Sequence, residues 1–341
     1  GSSVTTIDAD GLSGVLGVDS QAKLPSLRIN GLTITGGDGL GGGIHIGSGA
    51  LNLFDSTVIG NTGPRGGGIF NDIGAAGIFN SVIRDNVATD DSGGGIVIDR
   101  GTMYVTNSTI SDNVATAASG FAYGGGVRNN AVLVMTNSTV SGNSGHMGGG
   151  IYNADSGMLT FVHSTIADNG ASYPGGGIFN DGGSMTLTAS ILDGNTSPSV
   201  RSDCFSTVPP TSGGYNFIGD GTGCVWVAGS GDIVGTATAP LSAGLGPLQD
   251  NGGPTMTHAL LPGPPVAINT IPAASCTVAT DQRGVVRPQG DMCDKGAFEV
   301  EVQPVGLVDP STGFWRLRDG AGVVTEFFFG NPGDYPFVGD W

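Results

Sequence analysis

The stretch GGGIYNADSGMLTFVHSTIADNG, residues 148–170, decides the fold. A glycine triplet leads into a short apolar run. A segment follows in which Leu159 and Phe161 are separated by Thr160, and then comes the block HSTIADN. The same two-part unit recurs on both sides. Triplets start at Gly41, Gly66, Gly93, Gly124, Gly148 and Gly175, in steps of 25, 27, 31, 24 and 27 residues. The matching blocks are DSTVIGN (55–61), NSVIRDN (80–86), NSTISDN (107–113), NSTVSGN (137–143), HSTIADN (163–169) and ASILDGN (189–195). Within each copy the apolar residues alternate, as in Leu51/Leu53, Ala76/Ile78, Met103/Val105, Leu133/Met135, Leu159/Phe161 and Met185/Leu187. A period of two describes a strand with one buried face. Val58, Ile83, Ile110, Val140, Ile166 and Leu192 form a further apolar column, two residues after a column of serines (Ser56, Ser81, Ser108, Ser138, Ser164 and Ser190). A repeat of this length, made of short strands with no helical period, is one turn of a β-solenoid. A single turn cannot bury its own apolar face, so stacking supplies the core.

Two other columns are read mechanically. Asn61, Asn86, Asn113, Asn143, Asn169 and Asn195 are expected to take left-handed backbone geometry at a corner and to bond to one another through their amides as a ladder. A partial column, Asn71, Asn129, Asn153 and Asn180, is broken by Ile98. The glycine triplets mark corners where φ is positive or a Cβ would clash. The alternative is a flat strand that admits another surface closely.

Composition agrees with this picture. Of 341 residues 64 are glycine, yet they are clustered and not placed at every third position, which excludes collagen. The hydrophobic share of 38% argues against disorder. Only Lys23 and Lys295 are lysines, and only Glu299, Glu301 and Glu326 are glutamates, which argues against a helical protein. The net charge of −17 opposes binding to nucleic acid or to anionic membranes. No apolar run is long enough for a transmembrane helix, and no signal peptide opens the chain, so an exported protein would have lost one before residue 1.

The repeats GGGIYN (148–153) and NSTVSGN (137–143) resemble those of polymorphic outer-membrane proteins and related adhesins, although Gly stands where that family has Ala in the triplet and no aromatic opens the second motif. The resemblance implies an all-β, right-handed parallel β-helix on a bacterial surface. GPLQDNGGPTMTHALLPGPPVAIN (246–269) and DQRGVVRPQGDMCDKGAFE (281–299) resemble the choice-of-anchor Q segment that ends secreted β-helices. GFWRLRDGAGVVTEFFFG (313–330), read as two strands around Asp319-Gly320, with NPGDYPFVGDW (331–341), is similar to one FG-GAP-like unit. Three regions follow: repeats over 1–200, a continuation with a bridged cap over 201–303, and a terminal β-hairpin over 304–341. Trp315, Phe327, Phe328, Phe329 and Trp341 exceed what one hairpin can bury, so they are expected to dock on the solenoid end, on a neighbour or on further chain. Four cysteines permit three pairings. The separations of 20 and 17 favour Cys204–Cys224 and Cys276–Cys293, and a metal site is disfavoured because neither CxxC nor neighbouring His is present.

The β-helix fold also hosts polysaccharide lyases and glycoside hydrolases, so enzyme chemistry was weighed. A lyase needs carboxylate-bound Ca²⁺ and a basic residue, whereas the repeats carry only Arg65, Arg84, Arg100 and Arg128. Asp90-Asp91 is the one DD pair. The remaining catalytic candidates are Asp85, Asp112 and Asp168, beside the Asn column. Carboxylates about 5 Å apart on adjacent turns would suit a retaining glycosidase, and stacked carboxylates can also hold Ca²⁺. The competing reading is ordinary turn aspartates, and the balance falls on the non-enzyme side. His45, His146, His163 and His258 are scattered, with His163 a variant of its column. Outward Thr106, Thr109, Thr136, Thr139 and Thr165 suggest a flat array of the ice-binding type, interrupted by Phe54, Phe79, Val82, Val162 and Ile191. Tyr104, Tyr123, Tyr152 and Tyr173 are candidates for stacking on sugars. The expected function is an extracellular structural or adhesive protein without cofactor, which associates head-to-tail or binds cell-surface polysaccharide. VTTIDADG (4–11) and the C-terminal bridged segment are the expected caps. A carbohydrate-active enzyme or binding module is the alternative.

Overall fold

The computed structural model describes residues 5–11, 13–19, 26–118, 120–198, 203–262, 266–301, 305–309, 311–312, 314–318 and 324–328. The chain winds as a right-handed parallel β-solenoid of about eight turns. The turns build four sheets, numbered here in their order along a turn from the glycine corner. Sheet I stacks eight strands that follow the glycine corners, from Leu16–Val18 to Cys204–Ser206. Sheet II stacks eight, from Ser26–Asn30 to Thr211–Ser212. Sheet III stacks ten, from Thr5–Asp8 to Ile233–Val234. Sheet IV has five, from Thr62–Arg65 to Gly170–Ala171. Every pairing within these four is parallel, and the repeat register holds, for example Ile110↔Val140 and Leu133↔Leu159, except for a shift between Ala88 and Ser92 in sheet IV. The alternating apolar residues point inward as expected. Leu53, Ile78, Val105, Met135, Phe161 and Leu187 of sheet II meet Ile69, Ile96, Val127, Ile151 and Ile178 of sheet I and the Val58–Leu192 column of sheet III, all in one buried cluster. Each such side chain contributes roughly 1.5–3 kcal/mol by leaving water.

Three corners per turn take positive φ, and they correct one expectation. The Asn column is not left-handed. The residue just before it is: Gly60, Asp85, Asp112, Gly142, Asp168 and Gly194, with φ between 55° and 73°. The second left-handed column is Asp55, Asn80, Asn107, Asn137, His163 and Ala189. The third is the first glycine of each triplet, such as Gly124 at φ 68°. The second glycine answers to contact instead, for a Cβ on Gly125 would lie 2.3 Å from the Gly149 carbonyl oxygen. Corner and close approach therefore both hold, and the approaching surface is the next turn of the same chain.

The amide ladder is present. Each Asn Nδ2 donates to the Oδ1 of the next turn's Asn, from Asn61 to Asn86 (3.0 Å) through Asn169 to Asn195 (2.8 Å). Asp203 Oδ1 ends the series by accepting from Asn195. Burial lifts the Asp203 carboxyl to about 6. The partial column links Asn129, Asn153 and Asn180 to Ser206. At the break Asn71 Nδ2 donates to the Thr102 carbonyl, and its Oδ1, with Ile46 on the preceding turn, is buried without a partner. The serine column is a ladder too, each Oγ accepting from the backbone N–H of the preceding turn's serine.

Cys204 pairs with Cys224 and Cys276 with Cys293, at Cα separations of 5.4 and 6.2 Å. Residues 245–262 and 266–300 follow the last turns. They run back along sheet III, held by the antiparallel pairs Leu245–Gln249/Thr257–Leu260 and Ile271–Pro272/Met292–Cys293. The terminal hairpin is present as the antiparallel pair Phe314–Arg318 and Val324–Phe328, and Val305–Asp309 adds a third strand beside the first of them. Trp315 and Phe327 are register partners within it, whereas Asp319-Gly320, Phe329 and Trp341 lie outside the described residues.

Candidate functional site

The three candidate carboxylates occupy the left-handed corner between sheets III and IV. There Asp alternates with Gly, which is the substitution pattern φ near 55° selects. Asp85 and Asp112 stand on adjacent turns, while Gly142 separates Asp112 from Asp168, so the three do not form one cluster. Asp85 is paired with Arg84, half-exposed on both sides, and such pairs contribute little. Asp168 lies 4.0 Å from His258 Nε2. Among the described residues no group of three His, Cys, Asp or Glu is arranged to hold a metal ion.

Part of the outer face of sheet III is covered by the chain's own C-terminal segment. Thr109 Oγ1 donates to the Met256 carbonyl (2.6 Å), Thr139 Oγ1 to Gln282 Oε1 (2.7 Å), and the Ala297 N–H to Thr165 Oγ1 (3.0 Å). Asn137 Nδ2 donates to the Thr280 carbonyl. Those three threonines are therefore buried anchors and not an open array. His258 is buried as well, with Nδ1 against the Gly246 carbonyl and Nε2 against the Ser141 hydroxyl. A carbonyl only accepts, so Nδ1 donates to Gly246.

The motif DQRGVVRPQGDMCDKGAFE is what folds this segment. Arg287 and Glu299 form a fully buried pair (2.8 Å). Arg287 also donates to the Asp294 and Gly296 carbonyls. Arg283 pairs with Asp281 and lies 3.7 Å from the centre of the Phe298 ring. Asp281 and Asp294 accept backbone N–H groups of residues 299 and 300. Lys295 Nζ donates to the Tyr215 and Gly231 carbonyls, which ties the segment to the last turns. Burial raises the Glu299 and Asp294 carboxyls and lowers Arg287 and Lys295, the last to about 8. These polar groups are consumed in structure. His163 lies under the same segment with both ring nitrogens unpartnered. Burial, then Arg287 and Lys295, push it down to about 3.

Sheet I presents the opposite character. Its outward column is His45, Phe70, Val97, Arg128, Tyr152, Phe179 and Phe205. Tyr152 stacks on Phe179 at 5.6 Å and Phe179 on Phe205 at 4.8 Å, with Tyr123 at 4.7 Å from Tyr152. Tyr152 is buried and its Oη donates to Asp181 (2.6 Å). Burial first, then that bond, raises its phenol. Arg65–Asp99 and Arg100–Asp72 flank the column. Beside it, at the corner between sheets IV and I, three consecutive turns bring together Phe121, His146 and Tyr173. Phe121 is edge-on to His146 (4.6 Å) and to Tyr173 (5.6 Å), while His146 and Tyr173 stack at 4.8 Å. Phe121 and Tyr173 are exposed. Of the sugar-stacking candidates, Tyr173 joins this cluster, Tyr123 and Tyr152 are packed into the column, and Tyr104 stands exposed on sheet II. Phe121 and His146 were missed. The available signal was an aromatic two or three residues before successive glycine triplets.

A model of the right-handed β-helix region matches residues 44–233, more than half of the chain. Comparison with curated proteins and with solved structures returns no match. The matched span runs from the first complete sheet I strand after a glycine triplet, Ile44–Ile46, to the last strand of sheet III, Ile233–Val234. With the four parallel sheets and the ladders that hold them in register, this chain belongs to the right-handed β-helix family.

Proposed function

We propose that this protein is a bacterial extracellular adhesive and structural element, a rigid rod that engages cell-surface polysaccharide through one flank. The observation that carries the reading is the contrast between flanks. From Thr109 to Thr165 the outer face of sheet III is covered by the protein's own tail, while the side formed by sheet I and its corner with sheet IV carries aromatic rings, two of them exposed. Two bridged cysteine pairs suit an oxidising, exported location. On this reading residues 1–200 are the repeat body, 201–303 its continuation and bridged segment of the choice-of-anchor Q kind, and 304–341 an FG-GAP-like docking unit. Head-to-tail association is a second reading. It is favoured by the first strands of sheets I–III, Leu16–Val18, Ser26–Asn30 and Thr5–Asp8, which have no partner on their outer edge among the described residues. The test is incubation of the purified protein with a panel of polysaccharides, followed by co-sedimentation and product analysis. Binding without cleavage supports adhesion. Turnover that is lost in Asp85→Asn or Asp112→Asn would instead establish the enzyme alternative. Negative-stain microscopy of the same preparation reads assembly.

A further inference from the structure

We infer that Phe121, His146 and Tyr173 form the stacking platform for an uncharged polysaccharide; the inference rests on the adhesive reading above. The three rings come from three consecutive turns and pack as a compact triangle, with centroids 4.6, 4.8 and 5.6 Å apart. Their exposure is what needs explaining. In the neighbouring sheet I column Phe70, Tyr152 and Phe179 are 3, 7 and 8% exposed, so this side of the fold can bury aromatics. Phe121 and Tyr173 remain 41 and 48% exposed. A cluster of rings held open in this way marks an interaction site more than an accident of composition.

The platform is rigid before anything binds. The His146 N–H donates to the Ala122 carbonyl (2.8 Å), the Tyr173 N–H to the His146 carbonyl (2.8 Å), and Tyr123 and Met147 are bridged. Ser172 Oγ fixes the imidazole through Nδ1 at 3.2 Å. Little ordering cost is left for binding. The corner is also where the turns differ most in length. From the second left-handed column to the next triplet the spacings are 11 (55 to 66), 13 (80 to 93), 17 (107 to 124), 11 (137 to 148) and 12 (163 to 175). From each triplet to that column they are only 13 to 15. The longest of these segments carries Phe121. In stacked-repeat folds, added loop length gathers on the face that binds.

The class of ligand follows from chemistry. A hexose offers a face of C–H groups to a ring and a rim of hydroxyls to neighbouring polar atoms. Ser172 and the Tyr173 phenol supply such atoms beside the rings. A polyanion is opposed by 29 acidic residues against 12 basic ones. The nearest cation of the adjoining column, Arg128, is already engaged over the Tyr123 ring at 5.3 Å. A neutral glycan meets no such opposition.

Affinity electrophoresis of the whole chain tests this, in gels containing hydroxyethylcellulose, xyloglucan, galactomannan, laminarin or, as the charged comparison, polygalacturonate. Wild type is retarded by at least one neutral glycan and not by polygalacturonate. Phe121→Ala and Tyr173→Ala each weaken the retardation roughly tenfold. Tyr104→Ala, which removes an exposed ring from sheet II, leaves it unchanged. Unaltered circular dichroism melts show that the variants are folded. If wild type is retarded but both ring variants match it, the platform is wrong and the adhesive reading stands. Retardation by polygalacturonate alone overturns the ligand class, and retardation by none of the five overturns both the platform and polysaccharide adhesion.

Discussion

Asn143→Ala tests whether the amide ladder holds the turns together. Asn143 is fully buried in the middle of the series. Its Oδ1 accepts from the Asn113 backbone N–H (3.0 Å) and from Asn113 Nδ2 (2.9 Å). Its Nδ2 donates to Asn169 Oδ1, the Ile110 carbonyl and the Ser141 carbonyl. Truncation strips the Asn113 N–H of its acceptor in a dry corner, which costs about 1–3 kcal/mol. Asn113 Nδ2 keeps the Ile83 carbonyl and Asn169 Oδ1 keeps the Asn143 N–H, so those groups lose one bond each, about 1 kcal/mol apiece. The sum is about 4 kcal/mol. With an unfolding entropy of about 2.1 cal/mol/K per residue, a chain of this length loses roughly 6 °C in Tm. Scanning calorimetry at several scan rates, with far-UV circular dichroism in parallel, reads the shift. The control is Met158→Thr, an exposed position on a sheet II strand, expected within about 0.5 kcal/mol of wild type. Asn143→Asp keeps the acceptor for Asn113 but turns a second oxygen toward Asn169 Oδ1 and the Ile110 carbonyl. It should be destabilised at neutral pH and recover as acid protonates the new carboxyl. An Asn143→Ala protein that melts within a degree of wild type would refute the ladder as a source of stability, and so would an Asn143→Asp protein indistinguishable from wild type at pH 7.

Three further outcomes are expected. His163 has a folded pKa of about 3 against about 6.5 unfolded, so its contribution is present above pH 6.5 and is lost as pH falls towards 3, by roughly 5 kcal/mol. Asp203, raised to about 6, works in the opposite sense, so the readout is the difference between wild type and His163→Asn, which should shrink with falling pH if the wild type loses this term; a pH-independent difference sinks the assignment. At the left-handed corner, Asp112→Gly should match or exceed wild type in thermal stability while Asp112→Val loses roughly 1–2 kcal/mol, and equal melts would contradict the backbone account of that column. Glu299→Gln should cost about 3 kcal/mol or more by leaving Arg287 buried without its charge partner, measured by urea unfolding, whereas a change under 0.5 kcal/mol would show that the tail is not held by this pair.

The turns were legible because they are local and repeated. Leu133/Met135 and Val140 name the buried faces by period alone, and six copies average out the exceptions. The corner column was placed one residue late for a physical reason. Both Asn and the Gly/Asp pair tolerate positive φ, so tolerance alone cannot choose between adjacent columns. Variation can. A column that swaps Gly60 for Asp85 is answering to backbone geometry, whereas a column of unvarying Asn is answering to a side-chain bond. The seat of the tail was not legible. Gln282 reaches Thr109 and Thr139 across more than 140 residues, and an outward threonine reads the same whether water or protein covers it. Aspartate, arginine and glutamate in 281–299 look like surface chemistry until Arg287 and Glu299 are found fully buried together.

That burial changes which parts of the chain can act on anything else. A repeat displays each outward column along its whole length, so the repeat by itself does not single out a functional flank. The tail removes part of sheet III from consideration by bonding to Thr109, Thr139 and Thr165 on three successive turns. The outside of sheet II mixes polar residues with scattered apolar ones such as Val134 and Met158, and its rings are Tyr104 and the stacked pair Phe54 and Phe79 near its start. What remains is the side where sheet IV meets sheet I, where turn length varies and ring meets ring. The aspartates that first drew attention as chemistry, Asp85, Asp112 and Asp168, sit on another corner, and the backbone there accounts for them. Function is therefore best sought where the repeat is least regular, since regularity is what the core and ladders require and departures from it are free to vary with a ligand.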